Sequence, residues 1–146
     1  MRATFVTLKL HGNLRGCIGM LEAARPLGED VVANARAAAF SDPRFKPLTK
    51  KELDELEIEV SILSRPARLL FEDHADLLRQ LHPGEDGLIL ESGTGSTTRR
   101  GTFLPQVWES LPAPEDFIAN LKLKAGLPAG TRTTACRFKR YRVAKW

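Results

Sequence analysis

Ala3-Thr4-Phe5-Val6-Thr7-Leu8-Lys9-Leu10-His11-Gly12-Asn13-Leu14-Arg15-Gly16-Cys17-Ile18-Gly19-Met20 joins two strand-like runs through three residues of turn chemistry. In the first run Val6, Leu8 and Leu10 alternate onto one face, and His11-Gly12-Asn13 then reverses the chain. The reading is a β-hairpin. Its second arm carries one of only two cysteines, and strict alternation sends Arg15, Cys17 and Gly19 to one face and Leu14, Gly16 and Ile18 to the other.

That spacing puts a guanidinium beside a thiol, since two residues along a strand span roughly 6 to 7 Å. A free cysteine is only a few per cent thiolate at pH 7, so a cation sheltered from bulk water would favour the reactive form. Gly16 and Gly19 have no side chains and would let a substrate approach, or would serve close packing around a small buried Cys17. Both readings stand on the sequence alone.

Downstream, Pro26 suits the first turn of a helix to about Phe40, with Leu27, Val31, Asn34/Ala35 and Ala38 on one stripe. Ser41-Asp42-Pro43 ends it. Thr49-Lys50-Lys51-Glu52 fits a capping box before a short helix reaching about Leu56. From Leu56 to Ser64 an apolar row, Leu56, Ile58, Val60 and Ile62, alternates with Glu57, Glu59, Ser61 and Leu63, the pattern of a half-buried strand. Helical signals follow over Ala75–Leu81, from Pro105 to about Leu111, and from Pro114 to a stop at Gly126; strands are expected at Leu88–Glu91 and Arg100–Phe103. Thr134–Ala144 reads as one extended segment with a bulge. Without a βαβ rhythm, these elements predict an α+β fold with an antiparallel or mixed sheet and flanking helices.

The chain has 146 residues, 42% of them hydrophobic, enough for one domain with a proper core. Two cysteines make no disulfide scaffold, and no secretory or membrane-spanning run is present, so the expected setting is cytoplasmic, with no membrane partner. The net charge of +4 is unevenly spread. Thr131–Trp146 holds six basic residues, Arg132, Arg137, Lys139, Arg140, Arg142 and Lys145, and no acid. Such a segment is either a patch for phosphate or an acidic partner, or the solvated face of an edge strand.

Five segments in this order, Phe5–Lys9, Leu14–Gly19, Ala39-Phe40-Ser41-Asp42-Pro43-Arg44-Phe45, Leu56–Ser64 and Gly101–Trp108, resemble the AMMECR domain family, also called AmmeMemoRadiSam system protein A. Leu121–Pro128 extends the likeness, so residues 1–146 read as a single domain of that type. The resemblance implies an α+β fold of a larger and a smaller lobe with a cleft between them. It implies no settled activity, a cysteine motif regarded as a candidate active site, and a modification pathway shared with Memo-type and radical-SAM proteins. Members commonly carry a helical segment before the strand that here begins at Ala3; lacking it, the chain is expected to expose an apolar patch and form a homodimer.

The candidate catalytic residues are Cys17 as nucleophile, Arg15 as cation and Glu59 as acid or base. Gly16, Gly19, Asp42, Arg44 and Phe45 are the candidate substrate-binding residues, with Asp42 and Arg44 alternatively fixing only a corner of the chain. His11, His74 and His82 read as surface residues, no metal-ligand spacing occurs, and Gly93-Thr94-Gly95-Ser96 lacks a phosphate-binding signature, so neither metal nor cofactor is expected. Two functions follow: a cysteine-dependent enzyme or group carrier acting on a small molecule, peptide or nucleic acid, and a non-catalytic module binding nucleic acid or a protein partner through the expected interlobe cleft or the basic C-terminal segment.

Overall fold

The computed structural model describes residues 1–146. In chain order the elements are β1 (Thr4–Leu10), β2 (Asn13–Gly19), α1 (Leu27–Phe40), α2 (Lys50–Leu53), β3 (Leu56–Leu63), β4 (Ala67–Leu69) and α3 (His74–Gln80). Then come β5 (Gly87–Ser92), β6 (Arg99–Phe103), α4 (Pro114–Lys124), β7 (Arg137–Tyr141) and β8 (Val143–Lys145). The fold is α+β. Two compact units divide the chain, residues 1–65 with 144–146, and residues 66–143, and each owns one four-stranded sheet.

The sheet of the first unit has the order β2-β1-β3-β8. β1 and β2 form the expected hairpin, with His11 and Gly12 both at positive φ in a two-residue turn whose backbone matches the twist of the strands. One irregularity decides the site. Leu8 lies opposite Gly16 and Lys9 opposite Leu14, so Arg15 is an extra residue in a β-bulge. Strict alternation therefore fails at Leu14, which pairs with Lys9 and is exposed.

α1 packs its Ala38 and Ala39 against Val6 and Leu8 of β1. Its buried side is more polar than the stripe read from the sequence, because Asp30 and Asn34 are buried while Leu27 is 38% exposed. Asp30 accepts hydrogen bonds from Thr4, Asn34 and Arg25, and Asn34 also donates to the Thr4 carbonyl. This satisfies the buried carboxylate from three sides. The Thr49–Glu52 capping box forms as expected. Along β3 the apolar row is covered unevenly, since Ile58 is exposed while Ser61 and Leu63 of the opposite row are buried.

The second unit has the order β4-β7-β5-β6 with every pairing antiparallel. Its core is larger and aromatic: Trp108 stacks on Phe117 at 3.7 Å, and Phe71 and Phe103 meet Phe138 and Phe117 edge to face. Residues 105–109 form a 3-10 turn instead of the expected α-helix. The C-terminal segment is not one bulged strand but two, with β7 in the second sheet and β8 in the first.

Candidate functional site

Cys17 sits half-buried on β2, the edge strand of its sheet. The bulge at Arg15 shifts the register by one residue and sets Cys17 opposite Thr7, whose Oγ1 lies 3.3 Å from the sulfur. As an edge-strand residue, Cys17 directs its amide away from β1, and that N–H donates to Asp42 Oδ2 at 3.1 Å. Thr7 is the residue the sequence reading missed. A hairpin without the bulge would have placed it opposite Gly16.

Asp42 is buried and organises the corner after α1. Arg44 donates to it through Nη2 at 2.7 Å, Nε at 3.1 Å and the backbone N–H at 3.1 Å. These bonds, the Arg44 side chain foremost and the Cys17 and Arg44 amides after it, hold the Asp42 carboxyl well below the usual carboxylate range against the opposing effect of burial. Arg44 is raised in turn, chiefly by its hydrogen bonds to Asp42 and further by the Asp42 charge. Its side chain remains 55% exposed, so the cation beside the thiol is both anchored and open to a ligand.

Arg15 is the opposite case. Its side chain is 12% exposed and is held by Glu52 at 2.8 Å and the Lys46 carbonyl at 2.7 Å, leaving Nη1 buried without a partner. The Arg15 side chain and the Thr49 amide lower the Glu52 carboxyl to about 2. The Phe45 ring stands near both guanidiniums, 5.4 Å from that of Arg44 and 5.9 Å from that of Arg15. Arg15 thus ties β2 to the capping box, and Arg44 supplies the accessible charge.

Glu59 lies opposite Thr7 on β3, two strands from Cys17 and so roughly 10 Å away across the sheet. Its carboxylate faces Lys145 at 3.5 Å and Lys9 at 3.9 Å. Both glycines are closely packed. A Cβ on Gly16 would meet the Ala38 carbonyl of α1, and one on Gly19 would meet the Phe5 ring and the Thr4 carbonyl. The structure therefore brings together Cys17, Asp42, Arg44, Phe45 and Arg15, and leaves Glu59 apart.

No group of three or more His, Cys, Asp or Glu side chains is arranged to hold a metal ion, and no helix is long and apolar enough to cross a membrane. The basic C-terminal segment is largely consumed internally. β7 is an interior strand; Arg137 donates to the Gly93 carbonyl, Lys139 faces Glu91, Arg140 donates to the Gln80 carbonyl, and Arg142 binds the buried Asp86.

Sequence similarity to AMMECR1 extends over residues 1–146. The chain belongs to the AMMECR1 family. It is 44% identical over 132 residues to a protein of Methanothermobacter thermautotrophicus, covering 87% of this chain and 65% of that one. A Saccharolobus islandicus protein is 43% identical over 147 residues, covering 94% and 62% respectively. The chain thus spans slightly less than two thirds of the length of these AMMECR1 relatives. The crystal structure of an uncharacterized protein from Pyrococcus horikoshii superposes with a TM-score of 0.79 at 32% identity, covering 99% of this chain and 72% of that one. These likenesses establish family and fold, and none of the names carries an activity.

Proposed function

We propose that this AMMECR1 domain is a cysteine-dependent enzyme or group carrier, working in a modification pathway with Memo-type and radical-SAM proteins. The observation that carries the reading is the company Cys17 keeps: the Thr7 hydroxyl at its sulfur and its amide on the same Asp42 that anchors Arg44. A hydroxyl at that distance donates to a thiolate, and an open guanidinium binds an anionic group on the incoming molecule. The sulfur attacks an electrophilic carbon of the donor, the donor's leaving group departs, and the thiol proton passes to solvent. The family resemblance supports the pathway partners.

The test is the rate of alkylation at each cysteine, followed by peptide mass mapping with iodoacetamide on the folded chain. Cys17 is expected to react at least about tenfold faster than Cys136, which is buried, and Arg44→Gln to slow Cys17 several-fold. Equal, slow modification of both thiols would overturn the reading.

A further inference from the structure

In the unit of residues 66–143, four side chains far apart in sequence converge: His74 at the start of α3, Glu115 and Lys122 on α4, and Thr133 in the 3-10 turn Thr133–Ala135. Lys122 Nζ lies 2.9 Å from Thr133 Oγ1 and 3.1 Å from the Thr131 carbonyl. Thr133 Oγ1 is 2.6 Å from His74 Nδ1, and His74 Nε2 is 2.9 and 3.0 Å from the two Glu115 oxygens.

One proton order along this chain suits chemistry at the Thr133 hydroxyl. An ammonium group only donates and a carboxylate only accepts. Thr133 Oγ1 therefore accepts from Lys122 and keeps its own hydrogen to donate to Nδ1 when the imidazole is neutral. In the neutral imidazole the ring hydrogen then sits on Nε2 and is donated to Glu115. The result is a hydroxyl–imidazole–carboxylate sequence, the order that turns an alcohol into a nucleophile. Lys122 adds a cation on the same oxygen to offset charge as the alkoxide forms.

A cavity of about 370 Å³ opens on these groups and is lined also by Thr131, Arg132 and Thr134. Arg132 is exposed at its edge, a cation suited to a substrate carboxylate.

We propose that Thr133, His74, Glu115 and Lys122 form an acyl-transfer site for small carboxylic esters that bear an anionic group. Thr133 Oγ1 attacks the ester carbonyl carbon and its proton passes to His74 Nδ1. The bond to the leaving oxygen breaks, and the alcohol departs with that proton. Water then attacks the threonine ester, giving one proton through His74 back to Thr133 Oγ1 and releasing the acid. The sum is ester hydrolysis and needs no further reagent. Cys17 takes no part in it.

The experiment incubates the full chain with mono(4-nitrophenyl) succinate, quenches in acid and maps the acyl group by peptide mass spectrometry. The expected result is succinyl on Thr133, with 4-nitrophenol release falling about 100-fold in His74→Gln and several-fold in Glu115→Gln. Thr133→Ser keeps the nucleophile and is expected to retain release, which separates chemistry from any folding defect of Thr133→Val. An acyl group absent from Thr133, or forming there at a rate that His74→Gln leaves unchanged, overturns the proposal. Succinyl found on Cys17 alone also overturns it, while supporting the thiol reading above.

Discussion

Cys136 and Cys17 sit in regions held together by different forces. Cys136 belongs to a core with Leu88, Leu90, Phe117 and Phe138, and burial pushes its thiol above the ordinary value. Around Cys17 the buried apolar cluster is small, Val6, Leu8, Ala38 and Ala39, and position is set by buried carboxylates instead: Asp30 under α1 and Asp42 at the strand edge. An apolar core resists opening and shuts a thiol away from reactants, even though Cys136 Sγ lies 3.7 Å from the Arg132 carbonyl. A hydrogen-bonded edge holds a thiol at a defined place beside charge, at the cost of depending on a few polar groups.

Substitutions that remove one kind of force and not the other sharpen this contrast. The largest effect is expected from Phe117→Ala, which removes a fully buried ring stacked on Trp108. It should cost about 3 to 5 kcal/mol in urea unfolding while leaving the Cys17 alkylation rate of the folded chain unchanged. Gly16→Ala comes next, because its Cβ runs into the α1 backbone. A loss of about 2 to 3 kcal/mol is expected, and a neutral result would return Gly16 to the role of substrate access.

Asp30→Ala strips the partner from Thr4, Asn34 and Arg25 and should cost about 2 kcal/mol, with amide exchange accelerating in β1 and α1 rather than in the second sheet. The smallest effect is acid sensitivity. Asp42 and Glu52 are both held below their ordinary values, so each stabilises the fold above its unfolded pKa and loses that contribution as pH falls through the folded one. For Glu52 the window runs from about 4.5 down to about 2. Exchange of the Cys17 amide should quicken as acid protonates Asp42, and Asp42→Asn should make that exchange less dependent on pH. Parallel loosening of β5 and β7 would break the contrast.

Most elements were legible because their signals are local. His11-Gly12 announces its turn, Thr49 and Glu52 their reciprocal cap, and the alternation of Leu56–Leu63 its strand. What escaped depends on tertiary partners. Nothing in Leu14-Arg15-Gly16 signals that Arg15 is skipped by the ladder, because the bulge is settled by Gly16 packing on Ala38 and Arg15 reaching Glu52. The burial of Asp30 likewise depends on Thr4, Asn34 and Arg25, partners that the helix periodicity does not reveal. At the site, Cys17, Asp42, Arg44 and Phe45 were readable from composition and family likeness. Thr7 was hidden behind the register shift, and the strand order that sets Glu59 two strands from Cys17 has no local signal.

The division of the C-terminal segment at Arg142 bears on synthesis. β8 completes the first sheet through the mutual backbone bonds of Trp146 and Val60, yet it is translated after the whole of residues 66–143. While the ribosome makes that insertion, β3 is an unpaired edge next to the exposed Ile58, the kind of surface on which nascent chains stick to one another. The sheet that bears Cys17 thus depends on a strand made only after residues 66–143, and β3 keeps an open backbone edge until β8 is in place.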